Sequence, residues 1–357
     1  MSFKNILIFR TGFLGDTLVS LPAFWTVRNA FPNARMTLLS NSAAPNSKFV
    51  LAQSILPKTG LFDDWITYPT NQSKLHTIQL FSKLFLEIRK RKFDVLIYLM
   101  TRNRSRQSVK RDELFFQFAG IKRIIGMEYL LNNLLSYDQT KPLPKVESEV
   151  NFFLSCLRSD QFPAVVPQFK SEMLLTDEEI GFSEHWLKKN CRLEPENNTL
   201  IAIAPGSKWQ SKLWDENRYF EVIRRLISDK NVYPIIFGGK EDRETGNRLI
   251  KKLGTGANAA GELNIRQAAS ALSKCQLYLG NDTGTLHLAA SVNTPCVAIF
   301  AAIDFENRWH PLGDNHQIIR KKVDCEGCHS PISFNDNKCL KLIEVEEVYQ
   351  ACLKVLG

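Results

Sequence analysis

Residues 280–290 lie between two apolar runs and have the sequence Gly280-Asn281-Asp282-Thr283-Gly284-Thr285-Leu286-His287-Leu288-Ala289-Ala290. The runs, 275–279 and 295–300, are typical of buried parallel strands, and the residues from Thr285 onward are typical of the helix that joins them. Thr283 and Gly284 then occupy the helix start, where free backbone N–H groups and the positive end of the helix dipole favour a phosphate. The motif therefore predicts a pyrophosphate site with the Asp282 carboxylate beside it. The alternative is an ordinary helix cap followed by a turn glycine.

The same alternation of strand, turn and helix continues along most of the chain. The first forty residues predict a strand at 6–9, a glycine-containing turn at 10–16, a helix at 17–31 and a strand at 36–40. Pro22 falls inside that helix and predicts a kink or a late first turn. Further strands are predicted at 94–100, 200–204 and 233–237, and further helices at 75–90, 176–189, 217–228, 243–253 and 345–356. This repetition is typical of parallel sheets covered by helices, so the sequence predicts an α/β fold.

Length and composition are those of a globular protein with two domains. The chain has 357 residues, of which 44% are hydrophobic and 23% are charged, so each half is long enough to bury a core. No apolar stretch approaches the ~18–20 residues that a membrane-spanning helix needs. The N-terminus leads directly into a strand pattern and lacks the apolar region of a secretion signal, so we expect a cytoplasmic protein.

Positive charge is concentrated in one part of the chain. The net charge is +9, and residues 83–123 contain twelve Lys and Arg against four Asp and Glu. The densest part includes Arg102, Arg104, Arg106, Lys110 and Arg111. Such a patch favours an anionic partner, either an acidic membrane leaflet or a phosphorylated substrate, and a solvated helix face is the alternative. No nucleic-acid-binding signature accompanies the patch, which argues against DNA or RNA.

Residues that suit a nucleotide follow the predicted strands of the second half. Ligands of parallel α/β sheets bind at the carboxyl ends of strands, so residues that follow different strands are expected to meet there. The second half supplies a hydroxyl, a cation, two carboxylates and a helix start, from Ser207, Lys212, Glu241, Asp242 and the 282–287 segment. Each also has a structural explanation: an exposed lysine, acids that begin a helix, or, for His287, a structural imidazole.

The first half supplies a single carboxylate in a turn that contains glycines. Asp16 follows the first predicted strand, after Gly12 and Gly15. The spacing of these glycines is not that of a dinucleotide-binding fingerprint, and the aspartate comes too early to bind a ribose. A carboxylate in this position is instead placed to act as a base.

The order and spacing of these motifs resemble the heptosyltransferases of lipopolysaccharide assembly, glycosyltransferase family 9. The matching segments span residues 6–343 and are Leu14-Gly15-Asp16, Leu21-Pro22-Ala23, 28–32, Ala204-Pro205-Gly206-Ser207, Lys212-Leu213-Trp214, Phe237-Gly238-Gly239 and 282–290. The resemblance implies the GT-B fold, two Rossmann-like domains that face one another across a cleft. With prolines clustered between 141 and 168, we expect an N-terminal acceptor-binding domain at 1–165 and a C-terminal nucleotide-sugar-binding domain at 166–340. A last helix at 341–357 is expected to pack back on the N-terminal domain.

The resemblance also implies roles for individual residues. Asp16, next to Gly15, matches the general base, and Lys212 matches the lysine that neutralises the departing diphosphate. The remaining donor contacts implied are Ser207 to the diphosphate, Thr283, Gly284 and Thr285 as the phosphate cradle, Asp282 to the sugar hydroxyls, and Glu241 or Asp242 to the ribose. His287 is a further phosphate contact or a structural imidazole. Arg102, Arg104 and Arg106 are expected to hold an anionic acceptor.

These roles predict an inverting glycosyltransferase that carries heptose from ADP-heptose to a lipopolysaccharide core or related surface glycan. The alternatives are a protein heptosyltransferase acting on a surface adhesin and a nucleotide-sugar-binding protein without turnover. The expected partners are a nucleotide-sugar donor, an anionic glycolipid acceptor and the cytoplasmic face of the inner membrane, touched peripherally. No cofactor or catalytic metal is expected, because family members of this fold use lysine and helix N–H groups instead and the chain has no Asp-x-Asp pair.

Four cysteines near the C-terminus raise the question of a structural metal. Cys325 and Cys328 have the spacing of a metal-binding pair, and Cys339 and Cys352 follow. The later spacings are looser than those of a zinc ribbon, and Cys352 lies in a predicted helix. The sequence therefore leaves two interpretations, a four-thiolate metal site or buried thiols.

Overall fold

A computed structural model describes residues 3–42, 50–69, 74–137, 143–160, 173–191, 199–333 and 335–357. The chain divides into two compact units. The first unit consists of Met1–Ser136 and Ser148–Ser171, and the second of Tyr137–Glu147 and Glu172–Gly357.

The first unit is built on a parallel sheet of five strands. In chain order they are β1 (Asn5–Phe9), β2 (Arg35–Ser42), β3 (Asp64–Pro69), β4 (Val95–Tyr98) and β5 (Ile124–Ile125). Their order in the sheet is β3-β2-β1-β4-β5, so the chain changes direction between β1 and β4. Both central strands are buried on both faces, as expected for a parallel sheet covered by helices.

The helices of the first unit confirm the predicted alternation with one correction. They are α1 (Leu14–Leu18), α2 (Leu21–Ala30), α3 (Ala52–Ile55), α4 (Lys74–Arg91), α5 (Arg106–Phe118), α6 (Met127–Asn132) and α7 (Glu149–Ser159). The single helix predicted at 17–31 is wrong, because the segment forms α1 and α2. Pro22 lies in the first turn of α2, where its missing N–H costs no hydrogen bond.

The second unit contains a parallel sheet of six strands. They are β6 (Thr199–Ala204), β7 (Val232–Ile236), β8 (Ala257–Asn258), β9 (Leu277–Asn281), β10 (Cys296–Phe300) and β11 (Gln317–Arg320). The sheet order is β11-β10-β9-β6-β7-β8, so the change of direction falls between β6 and β9. The residues that follow these two strands lie at the topological switch point, where ligands of such sheets bind.

Seven helices cover the second sheet among the residues described there. They are α8 (Asp177–Asn190), α9 (Glu216–Lys230), α10 (Arg243–Leu253), α11 (Ile265–Leu272), α12 (Gly284–Ser291), α13 (Lys338–Lys341) and α14 (Val345–Leu356). α14 was expected to pack on the N-terminal domain, but it belongs to the second unit. Its apolar face, with Val348 and Cys352, joins the core beneath the sheet and α9.

The segment between the units also differs from the predicted domain bounds. Residues 137–147, expected in the N-terminal domain, belong to the second unit. Tyr137 donates a hydrogen bond to Asp304, and Lys145 forms an ion pair with Glu306, which explains the assignment. The expected boundary at 165–166 lies outside the described residues. None of the helices in the described ranges has the length and apolar composition needed to cross a bilayer.

Candidate functional site

The switch point of the second sheet is held together by a buried asparagine. Asn281 ends β9, and its Nδ2 donates to the carbonyl oxygen of Pro205 in the loop after β6, at 2.7 Å. Its Oδ1 accepts a hydrogen bond from the hydroxyl of Tyr219 at 3.0 Å. The amide therefore fixes the loop after β6 beside the end of β9, and the residues on both sides of this contact form the edge of the site.

A lysine and an aspartate pair at this edge. Lys212 Nζ lies 2.5 Å from Asp282 Oδ2 and 3.3 Å from the Asp282 carbonyl oxygen. The ammonium also lies 5.6 Å from the centre of the Trp209 ring. Lys212 is mostly buried and Asp282 almost fully so, which excludes the interpretation of Lys212 as an ordinary surface lysine. An ammonium has three N–H donors, so it can keep its contacts to Asp282 and still donate to a ligand.

The start of α12 lies directly after this pair. Thr283 is the N-cap residue in extended conformation, and its side chain makes no capping hydrogen bond. Thr283, Gly284 and Thr285 are partly exposed, whereas His287 is buried with its ring edge-on to Trp309. The helix start thus has the geometry of an anion site. For His287 the structure supports the structural interpretation.

Asp242 and Glu241 have different surroundings, which the sequence did not distinguish. Asp242 Oδ2 accepts a hydrogen bond from the backbone N–H of Gly239 at 2.8 Å. A Cβ on Gly206 would lie 1.9 Å from Asp242 Oδ1, so the aspartate fills the space against the loop after β6. Burial raises the pKa of Asp242, and the Glu241 charge adds to this. Glu241 is exposed, whereas Asp242 is partly buried.

Ser207 is partly engaged in its own turn. Its hydroxyl accepts a hydrogen bond from the backbone N–H of Trp209 at 3.1 Å. The side chain remains partly exposed at the end of β6. The hydroxyl hydrogen thus points away from the Trp209 contact, which is compatible with the predicted donation to a phosphate oxygen.

A cluster that the sequence analysis missed lies beyond β10. Asp304 accepts hydrogen bonds from Tyr137 Oη at 2.9 Å and from Trp309 Nε1 at 2.8 Å, and Arg308 Nη1 lies 3.2 Å away. Burial raises the pKa of Asp304, but Arg308 and these hydrogen bonds outweigh it, so the pKa is below its usual value. Tyr137 is 167 residues from Asp304, so no local pattern could have joined them.

The cluster reaches Lys212 through aromatic contacts. The ring of Tyr137 stacks on His329 with centroids 4.0 Å apart, and His329 meets Trp209 edge-on at 5.5 Å. Trp209 also contacts Lys212. The aromatic rings therefore form one wall beside the lysine, and the sequence signal for it was limited to His329, which follows Cys328.

In the first unit, Asp16 is held at the end of β1. It is the third residue of α1, and its Oδ2 accepts from the backbone N–H of Phe13 at 2.9 Å, while Arg10 Nη2 lies 3.3 Å from Oδ1. Arg10 is buried against the ring of Phe153. Gly12 has φ +150°, and a Cβ there would lie 2.3 Å from the Asp16 Cβ. Glycine is therefore required for this approach, and the carboxylate keeps partial exposure. Gly15 lies in the same turn.

The basic loop, which contains Arg102, Arg104 and Arg106, has part of its positive charge neutralised by carboxylates of the same unit. Arg102 Nε and Nη2 both lie 3.1 Å from Glu149 Oε1, and both side chains are buried. Arg104 Nη2 lies 2.6 Å from Asp112 Oδ2. Arg106 is exposed and donates to the carbonyl oxygen of Leu131. The prediction that Arg102 faces an acceptor is therefore corrected, because its charge is used in a buried ion pair.

Among the described residues, no group of three or more His, Cys, Asp or Glu side chains has an arrangement that could hold a metal ion. Cys339 and Cys352 are buried in the apolar core of the second unit. Burial raises the pKa of the Cys352 thiol well above its usual value. Cys325 and Cys328 are partly exposed in the loop after β11. Of the two interpretations, buried thiols describe Cys339 and Cys352.

Two parallel α/β units, one with a cation and an uncapped helix at its switch point, have the features of a nucleotide-binding enzyme. The family model of glycosyltransferase family 9 (heptosyltransferase) matches residues 81–338. Lipooligosaccharide heptosyltransferase 2 of Campylobacter jejuni is 22% identical over 359 residues, which cover 99% of this chain and 98% of that protein. The structure of E. coli ADP-heptose LPS heptosyltransferase II matches with a TM-score of 0.68 at 20% identity, over 99% of this chain and 98% of that chain.

A more similar but shorter match is lipopolysaccharide heptosyltransferase 2 of Escherichia coli K12, 32% identical over 129 residues. That alignment covers 34% of this chain and only about a third, 36%, of the relative. The family match covers well over half of the chain, which therefore belongs to glycosyltransferase family 9. The predicted family, the GT-B fold class and the glycosyltransferase class are confirmed.

Proposed function

We propose that the chain is an inverting heptosyltransferase that transfers heptose from ADP-heptose to a lipopolysaccharide core or a related surface glycan. The observation that carries this proposal is the pairing of Lys212 with Asp282 at the uncapped start of α12. It joins a cation, a carboxylate and backbone donors at the switch point of the second sheet, which is the set of groups that a nucleotide sugar needs.

On the donor side, Lys212 and the backbone N–H groups of α12 bind the diphosphate. They stabilise the negative charge that grows on it as the bond to the sugar breaks, without help from a metal. Asp282 keeps its second carboxylate oxygen for a sugar hydroxyl while Oδ2 holds the lysine. Glu241 binds the ribose, since Asp242 is occupied by the turn after β7. Ser207 adds a hydroxyl to the phosphates.

On the acceptor side, Asp16 is the general base. Its carboxylate takes the proton from the acceptor hydroxyl while the hydroxyl oxygen attacks the anomeric carbon and the nucleoside diphosphate leaves from the opposite face. Attack opposite to the leaving group inverts the anomeric configuration. The contacts from Phe13 and Arg10 hold the carboxylate in one orientation, which favours a fixed position of the acceptor.

The names of the relatives support the choice of donor and acceptor. The matched E. coli structure is an ADP-heptose lps heptosyltransferase, and the C. jejuni relative is a lipooligosaccharide heptosyltransferase. Such an acceptor is an anionic glycolipid, which suits the positive net charge of the chain. The enzyme then works at the cytoplasmic face of the inner membrane, in peripheral contact with it.

The test combines ligand binding with product analysis. ADP, UDP and GDP are compared for the rise in melting temperature that each produces. A ligand that binds the native state raises the melting temperature. ADP is expected to give the largest rise, because it is the nucleotide of the proposed donor. The protein is then incubated with ADP-heptose and a heptose-deficient core acceptor, with ADP-glucose as the control donor. Mass spectrometry is expected to show one added heptose. A larger rise with UDP, or addition of glucose alone, contradicts the donor assignment.

A further inference from the structure

Helices α4 and α5 of the first unit expose large apolar side chains in basic surroundings. Leu86 on α4 is 64% exposed, and Leu114 and Phe118 on α5 are 55% and 70% exposed. Leu114 and Phe118 are four residues apart and therefore lie on one side of their helix. Single exposed leucines are common on protein surfaces, but a group of large apolar side chains on neighbouring helices marks an interaction surface.

The two helices are joined side by side. Phe81 and Phe85 of α4 each meet the ring of Phe115 of α5 edge to face, with centroids 5.9 Å apart. Arg89 of α4 donates to the carbonyl oxygen of Phe118 at 3.1 Å. Arg89 is one turn beyond Leu86, so this bond brings the outward side of α4 beside the end of α5. We call this surface, with Leu86, Leu114 and Phe118, the α4–α5 face.

Cations surround the apolar side chains of the α4–α5 face. The exposed basic residues within one turn of Leu86 or Leu114 are Lys83, Arg89, Lys90, Lys110 and Arg111. Three carboxylates lie among these five cations, and each already has a cation: Glu87 pairs with Arg91 at 2.6 Å, Glu113 with Lys110 at 2.8 Å and the buried Asp112 with Arg111 at 3.0 Å. The net charge of the face is therefore positive.

We propose that the α4–α5 face docks on an anionic lipid bilayer, with its three apolar side chains among the headgroups and its cations on lipid phosphates. Apolar side chains within a ring of Lys and Arg match the boundary between hydrocarbon and acidic headgroups. A second copy of the chain fits less well, because a symmetric contact would bring the same cations together. The docking rests on the proposed function in that a glycolipid acceptor is held in such a membrane.

The test measures binding of the full chain to vesicles that contain no acceptor. Wild type is compared on phosphatidylglycerol-rich and on pure phosphatidylcholine vesicles by sedimentation. The triple variant Leu86→Ser, Leu114→Ser and Phe118→Ser is expected to bind anionic vesicles at least about tenfold more weakly. The variant Lys83→Gln, Arg89→Gln and Lys90→Gln is expected to lose on the order of 10²-fold at low salt. The matched control, Phe182→Ser, Ile332→Ser and Leu342→Ser, changes residues of similar exposure in the second unit and is expected to bind like wild type.

Three outcomes overturn the docking. The wild-type chain does not sediment with anionic vesicles, or it binds both vesicle types equally. In the third, the triple variant of Leu86, Leu114 and Phe118 binds anionic vesicles as well as the control variant does. A wild-type dimer that this variant dissociates in sedimentation velocity would also overturn it, in favour of self-association. A second assay uses the acceptor glycan freed of lipid. The apolar variant is expected to keep full transfer to this soluble acceptor and a wild-type melting temperature. If wild type binds vesicles but transfers no sugar, the proposed function fails and the docking stands.

Discussion

Asp16 of the first unit and Lys212 of the second unit differ in how far along the chain their contact partners lie. Asp16 is fixed by Phe13 and Arg10, its neighbours in the same turn. Lys212 is instead paired with a residue 70 positions away, and the aromatic wall beside it includes Tyr137. The first edge, at Asp16, is therefore a property of one turn, whereas the second, at Lys212, exists only in the folded unit. We therefore expect a substitution of Asp16 to affect the chemical step alone. A substitution of Lys212 should affect donor binding and the chemical step together.

The largest expected effect is at the first edge. Asp16→Asn keeps the shape of the side chain and an oxygen for the Phe13 N–H, but removes the proton acceptor. We expect kcat to fall by ~10²–10⁴ with unchanged ADP affinity. Asp94→Asn is the matched control, since Asp94 also accepts backbone N–H groups beside β1. Near-normal turnover of Asp16→Asn would remove Asp16 from the mechanism.

The next effect concerns stability and not chemistry. Arg102→Gln leaves Glu149 as a buried charge without its ion pair, and we expect the free energy of unfolding of the first unit to fall by about 3–5 kcal/mol. Arg111→Gln, an exposed partner of Asp112, should cost less than about 1 kcal/mol. Urea unfolding measures both. An unchanged stability of Arg102→Gln with a raised acceptor KM would restore the role predicted for Arg102 in acceptor binding.

At the second edge, Lys212→Ala should weaken two steps at once. In the proposed mechanism the lysine contacts the diphosphate in the ground state and in the transition state, so we expect ADP affinity and kcat/KM each to fall by about 10–100-fold. Lys274→Ala, which breaks an exposed pair with Glu184, is the control. Calorimetry with ADP and initial rates separate the outcomes: unchanged ADP affinity would mean that Lys212 only positions Asp282.

A smaller effect is expected from the exposed part of the basic loop. Arg106→Gln should raise the acceptor KM by about two- to fivefold, since an exposed charge contributes little. Salt should raise the wild-type KM and reduce the difference, because the Debye length is only about 8 Å at physiological ionic strength. Lys122→Gln, also exposed, serves as the control. An acceptor KM that is independent of both salt and Arg106 would leave the loop as a solvated surface.

The smallest effect is expected from chelation. In the proposed mechanism Lys212 and the start of α12 stabilise the charge of the leaving group without a metal, so EDTA should leave the initial rate unchanged. The rate is measured before and after dialysis against EDTA, and then with added Mg²⁺. Activity that disappears and returns with Mg²⁺ would contradict the leaving-group mechanism.

The sequence predicted the elements that depend on neighbouring residues. β1 and β6 lie within one residue of their expected positions, because buried parallel strands are continuous apolar runs. The helix expected at 176–189 is α8, which begins at a capping box formed by Thr176 and Glu179. The single helix expected at 17–31 is wrong, but the late first turn that Pro22 predicted is confirmed, because Pro22 lies in the first turn of α2.

The sequence could not predict contacts that depend on distant segments. Arg102 belongs to a run of arginines that is typical of an exposed loop, and its partner Glu149 is 47 residues away. The choice between Glu241 and Asp242 depended on the space left by Gly206, in another loop. Packing decides which member of a charged cluster is buried, and a pattern of residue types does not contain that information.

The hydroxyl of Tyr137 limits where this gene can be divided. A fragment that began at residue 172 would encode every strand of the second sheet, but it would lack the tyrosine that donates to Asp304 and accepts from Arg308. The same problem arises for a chimera in which another family member donates everything before residue 172. Unless that donor has tyrosine at this place, the chimera would leave the buried Asp304 carboxylate short of one hydrogen bond. Exchange of first units between relatives therefore requires three crossovers, one on each side of residues 137–147 and one near residue 172.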